Sequence, residues 1–176
     1  PQAIGILGYR KVGSLALGLA VMETFSRPLA AGFDLKPFWE RSVCNAVSTG
    51  LLAARVRRNL PAEVFTAGLL QDIGGLFLAQ YFPTEYGGAI SMSKALNVHP
   101  AVVEREILGI DHAAVGGILA RHWKLPPIFE ETIREHHFIE LDTNISASPF
   151  LDTIRVVNLS SLLTDACYEE GKKENL

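Results

Sequence analysis

Cysteine, long apolar runs and strand patterning are what this sequence has least of, and each shortage excludes something. The 176 residues hold two cysteines, Cys44 and Cys167, with no CxxC pair, so no disulfide framework or zinc ribbon is encoded. Both sit in apolar, helix-patterned surroundings and read as buried thiols of a reducing cytoplasm. No apolar run reaches the roughly 18 residues that a bilayer crossing needs; residues 14–22 come nearest. A basic segment leading into a cleavage site is absent, as is an initiator methionine. No β-branched run alternates with polar residues, and no Asn-Gly or Asp-Gly turn joins such runs, which excludes a sheet protein. HExxH, GxSxG and P-loop motifs are missing. Gly5, Gly8 and Gly13 follow no strand, so a dinucleotide-binding reading fails.

What is present is helix. The chain is 48% hydrophobic and 20% charged, with 16 Lys plus Arg against 19 Asp plus Glu. That supports one domain with a self-sufficient core, and the near-neutral balance exerts no global pull on nucleic acid or an anionic membrane. Leu7, Leu15, Leu19 and Met22 outline an opening helix. Val43, Val47 and Leu51 recur every fourth residue in a second, from about Pro37 to Arg58, whose last turn carries Arg55, Arg57 and Arg58 as a solvated basic end. A third helix starts at Pro61 and runs through Phe65, Leu69, Ile73, Leu76 and Phe77, with Gly74-Gly75 allowing a neighbour to come close. Pro83, Pro100 and Pro126-Pro127 mark three more starts. Gly109 suits a helix C-terminus and Asp111 the N-cap before His112. A last helix spans about Phe150 to Tyr168, followed by a polar tail over residues 169–176. The expected product is an all-α bundle of about seven or eight helices.

Chemistry can reside at few places. Asp72 interrupts the apolar run of residues 67–78, and a carboxylate there requires a donor, a cation or water. Phe129, Ile133 and the His136-His137 pair are spaced so that one histidine turns toward the apolar face and the other to the surface. His112 heads a stripe continued by Val115 and Leu119. His99 and His122 read as solvated or packing residues.

The segments Phe38-Trp39-Glu40-Arg41-Ser42, Ala67-Gly68-Leu69-Leu70-Gln71-Asp72-Ile73-Gly74, Asp111-His112-Ala113-Ala114-Val115-Gly116, Trp123-Lys124-Leu125-Pro126 and Ile133-Arg134-Glu135-His136-His137 stand in an order and spacing that resembles the HDOD domain. This is the bacterial signalling relative of the HD and HD-GYP metal-dependent phosphohydrolases. The resemblance runs over residues 4–165 and implies an HD-like helical bundle over 1–168. It also implies a further helical lobe before Pro1, in keeping with the abrupt, already apolar start. In the HD enzymes a His, a His-Asp pair and a late Asp converge on a divalent ion that activates water. Placed here, those positions fall at Arg41, Gln71-Asp72 and Asn158, so only Asp72 is retained. Arg41, Gln71, Asp72 and Asn158 are therefore expected to form a polar cluster in place of the metal site. Asp72, His112, His136 and His137 remain as a residual site for a metal (Mn, Fe or Zn) or another ligand, although no cofactor is the leading expectation.

Three readings follow from the resemblance. The first is a non-catalytic cytoplasmic output module that works through protein–protein contacts, with a signalling protein or an upstream receiver domain as partner and no membrane insertion. The second is a metal-dependent phosphohydrolase of a nucleotide or cyclic dinucleotide. The third is binding of an intact nucleotide by Arg41 and the histidines.

Overall fold

In the computed structural model, residues 12, 13, 16–18, 20, 21, 25, 29–56, 60–137 and 148–173 are described, with side chains to Cys167. Leu7, Leu15, Leu19, Met22, Arg57 and Arg58 lie outside them. Among the described residues eight helices succeed one another and no strand occurs, as the proline punctuation predicts. α1 (Leu35–Arg55) starts at Asp34, whose carboxylate accepts the Lys36 N–H at 3.0 Å. Residues once expected in a single helix from Pro61 form two, α2 (Val64–Leu70) and α3 (Ile73–Tyr81), separated at Gln71-Asp72. The break has a local cause. The Asp72 side chain does not cap α3 but turns sideways to Arg41 and His136, while its carbonyl accepts the Gly75 N–H in a tight turn at 2.9 Å.

α4 (Pro83–Leu96) ends at Asn97 in the left-handed region, and α5 (Pro100–Leu108) ends the same way at Gly109, φ 74°. Asp111 caps α6 (His112–His122) by accepting the Ala114 N–H at 2.8 Å. α7 (Pro127–Glu135) opens on proline, and α8 (Leu151–Lys173) closes the chain. α8 runs five residues beyond the expected stop at Tyr168, since Glu169, Glu170, Lys172 and Lys173 all favour helix.

α3 is buried nearly all round and forms the centre. Leu70, Ile73, Leu76, Ile133 and Val157 pack the main core, while Leu78, Ala79, Tyr86, Val115 and Leu119 pack a second. Fully burying an aliphatic side chain of this size contributes roughly 1.5–3 kcal/mol. α3 and α6 touch backbone to backbone: a Cβ on Gly74 would lie 1.9 Å from the His112 carbonyl oxygen. α6 packs in turn on α7, and α1 on both α2 and α8.

Two expectations fail on α1 and α8. The stripe of Val43, Val47 and Leu51 faces outward, 49%, 47% and 63% exposed; the inward residues are Ser42, Asn45, Ala46 and Thr49. Small side chains are needed there because Thr49 meets Ser160 of α8 at 2.5 Å and Gly68 of α2 abuts the same threonine. Cys44 and Cys167 are exposed free thiols instead of buried ones, since both share the outward faces of these two helices.

Candidate functional site

The polar centre lies where the α2–α3 turn meets α1, α5, α6, α8 and the end of α7. Each element delivers its side chain by local rules. The helix break presents Asp72, the N-cap at Asp111 makes His112 the first residue of α6, and the end of α7 places His136 and His137 just past the helix.

Asp72 divides its two oxygens. Oδ2 accepts from Arg41 Nη1 at 3.4 Å and from Gln71 Nε2 at 3.2 Å. Arg41 also binds Asp165 Oδ1 through Nε at 2.9 Å and Nη2 at 2.7 Å, and reaches Ser161 Oγ at 3.4 Å. Gln71 Nε2 donates to the same Ser161 hydroxyl at 3.0 Å. Oδ1 faces the histidines, with His136 Nε2 at 3.2 Å and His112 Nε2 at 3.5 Å.

The histidine side is oriented from behind. His112 Nδ1 lies 2.6 Å from Glu104 Oε2, and the His112 backbone N–H donates to the same oxygen at 2.7 Å. His136 Nδ1 lies 2.6 Å from the Ile133 carbonyl, an acceptor only, so Nδ1 carries the proton and Nε2 points at Asp72. His137 Nε2 stands 2.6 Å from His112 Nε2. The His99 ring approaches His137 edge-on at 4.5 Å between centroids, while its Nδ1 caps α5.

Burial by itself would raise Asp72, but the Arg41 guanidinium and hydrogen bonds from His112 and His136 override it and hold the carboxyl well below the usual range. Burial likewise opposes a charged His112, yet bonding to Asp72 and Glu104 prevails and lifts it to about 10. His137 goes the other way. Burial, then the cationic neighbours His136 and His112, push it far down, so it stays neutral. The Tyr86 phenol is raised well above its ordinary value by burial and by the Glu104 and Asp72 carboxylates.

Of the expected residues, Arg41, Gln71 and Asp72 come together, joined by Ser161 and Asp165. Asn158 stands apart from that network: its amide donates to the His136 carbonyl at 2.6 Å. Both neighbours of the pair at 136–137 turn inward, which corrects the expectation of one surface histidine; the chain leaves α7 there and no longer obeys helical spacing. Glu104, nearly fully buried, was missed. Its signal was available, for it follows Ala101 by three residues on the inward side of α5, the same anomaly that drew attention to Asp72. Ser161 and Asp165, at i and i+4 on α8, gave no such signal.

The HD ligand set does not fit a metal here. Arg41 places a fixed cation against the one retained carboxylate, and at about 4 Å with an effective dielectric near 20 each unit of like charge costs roughly 4 kcal/mol. A different donor set does converge: Asp72, His112, His136 and His137 each offer an atom within 4.8 Å of the others.

Comparison with known proteins agrees with this architecture. The HDOD domain model matches residues 1–139. A solved protein from Shewanella amazonensis, provisionally named a phosphohydrolase, is 28% identical, covers 95% of this chain and 59% of its own, and superposes with a TM-score of 0.77. The MmoQ response regulator of Methylococcus capsulatus is 26% identical, covering 93% of this chain and 63% of its own at a TM-score of 0.64. An uncharacterised protein of Treponema pallidum is 26% identical over 133 residues, 75% of this chain and 26% of that protein. The chain thus spans less than two thirds of each of these relatives.

Proposed function

The chain belongs to the HDOD domain family, and we propose that it serves as a non-catalytic regulatory module of bacterial signal transduction. The observation that carries this reading is the Arg41–Asp72 contact at 3.4 Å, secured from behind by Asp165. An HD hydrolase needs neutral or anionic ligands around its ion; here a guanidinium fills that space and neutralises the remaining carboxylate. The resemblance to a response regulator supports the same direction. The work of such a module is conformational: an input arriving through an attached domain shifts the packing of the bundle and changes a surface read by a partner protein. No described helix is long and apolar enough to cross a membrane, and the proposed setting is the cytoplasm.

The test is turnover. The purified chain, supplied in turn with Mn²⁺, Fe²⁺ and Zn²⁺, is assayed against cyclic dinucleotides, nucleotides and bis(p-nitrophenyl) phosphate. No hydrolysis above the buffer rate is expected. Turnover that disappears in Asp72→Ala would overturn the proposal in favour of a phosphohydrolase. Calorimetric titration with the same nucleotides separates out simple binding, which Arg41 and the histidines would have to mediate; the expected heat is that of dilution.

A further inference from the structure

We propose that Asp72, His112, His136 and His137 form a closed, mononuclear site for a borderline divalent transition metal, Zn²⁺ by chemical class, lying on the opposite side of Asp72 from Arg41. Nitrogen-rich donor sets of this kind suit such ions, whereas Mg²⁺ and Ca²⁺ take oxygen. Four bonds of about 2.0–2.1 Å in a tetrahedron set the ligand atoms about 3.3–3.4 Å apart. Two separations already have that size: Asp72 Oδ1 to His136 Nε2 at 3.2 Å and to His112 Nε2 at 3.5 Å. The His112–His137 pair, at 2.6 Å, opens by under an ångström.

Three further observations point to a cation at the centre. With Nδ1 of His112 held on Glu104 and Nδ1 of His136 on the Ile133 carbonyl, both Nε2 atoms turn inward, the orientation that outer-sphere partners impose on ligating imidazoles. Two Nε2 atoms at 2.6 Å cannot both present bare lone pairs to each other, so a proton or a metal ion must lie between or beside them. The surrounding charges also match a dication: Asp72, Glu104 and Asp165 against Arg41 leave two negative charges once the imidazoles are neutral. The four donors fill a tetrahedron, and the guanidinium occupies the outer side of Asp72, so no position is left for a substrate water. The ion would clamp α3, α6 and the end of α7 together and is independent of whether the module hydrolyses anything.

Cobalt(II) serves as the probe because its visible spectrum reports geometry. The chain carrying Cys44→Ser and Cys167→Ser, which removes both exposed thiols, is stripped with chelator and titrated with Co²⁺ and separately with Zn²⁺. One ion per chain, a tetrahedral d–d band and its displacement by one equivalent of Zn²⁺ are expected. Glu104→Gln, which leaves all four ligands in place, should weaken affinity about 10–100-fold. His137→Ala, at the least buried ligand, should abolish the tetrahedral band while the far-ultraviolet circular dichroism still shows a folded helical chain. Absence of saturable uptake would assign the centre to a proton and overturn the proposal. So would two ions per chain, or binding indifferent to His137→Ala. Because the readout is stoichiometry and spectrum, its failure leaves the turnover result under the regulatory reading untouched.

Discussion

The two oxygens of Asp72 face two different chemistries. On the Oδ2 side, Arg41, Gln71, Ser161 and Asp165 form a network whose polarity is fixed, since a guanidinium keeps its charge at any accessible pH. On the Oδ1 side, three imidazoles and Glu104 form a network whose charge can change. One carboxylate joins a permanent ion pair to an adjustable cluster. The lesson is that losing the HD ligands did not empty the site. The Arg41 side was rebuilt as structure, and the histidine side kept its capacity to take up a cation.

The largest effect should come from removing the shared group. Asp72→Ala leaves the buried cations of both sides without their common counter-charge, and breaking a buried pair in this way costs about 3–5 kcal/mol. Urea unfolding at neutral pH would register it as a lower midpoint with an unchanged slope. Gly74→Ala should come next, at about 3 kcal/mol, because its methyl would meet the His112 carbonyl oxygen at 1.9 Å and the Gly116 nitrogen at 2.6 Å. It moves α6 away from α3 and so disturbs the histidine side while Arg41 and Asp165 keep their contact; a crystal structure of a folded variant would display that asymmetry.

Titration separates the two sides in metal-free protein. His112 is raised to about 10, so its stabilisation is complete below the unfolded value near 6.5 and is lost as pH climbs toward 10. His137 is depressed. Its contribution is present above about 6.5 and declines as the pH falls below that and the unfolded chain takes up a proton the folded one refuses. Asp72, also depressed, adds a second decline below about pH 4. Stability should therefore peak close to pH 6.5 and fall on both sides, which thermal melts from pH 4 to 10 would show. Glu104→Gln should flatten the alkaline limb and leave the acid limb largely intact. A curve without an alkaline limb would mean that His112 does not carry the proton.

Legibility in the sequence followed the physics of each signal. Proline starts and the glycine at 109 act within one turn, and they placed α4, α5 and α7 to within a residue or two. Asp72 stood out because a carboxylate in an apolar run is costly wherever the chain goes. Glu104 obeys the same rule and could have been found. Arg41's attachment to Asp165 could not, since the two are 124 positions apart and neither is anomalous among its neighbours. The division of the Pro61 helix was equally hidden, because Gln71 and Asp72 break it through contacts made with α1, α7 and α8, not through their own propensity.

The smallest expected effect concerns the stripe that misled the sequence reading. Val43, Val47 and Leu51 recur at helical spacing, but spacing marks a helix without saying which face is inward. The side of α1 that meets α2 and α8 is chosen by how closely the helices approach, and small Ser42, Ala46 and Thr49 permit what valine and leucine would block. Val47→Thr should consequently change stability by less than about 0.5 kcal/mol, the usual range for exposed positions. Thr49→Val, on the opposite face, removes the hydroxyl that meets Ser160 at 2.5 Å and should cost about 1–3 kcal/mol. Urea midpoints for the two variants, measured side by side, would establish the polarity of α1: equal losses would place the valine stripe in the core after all.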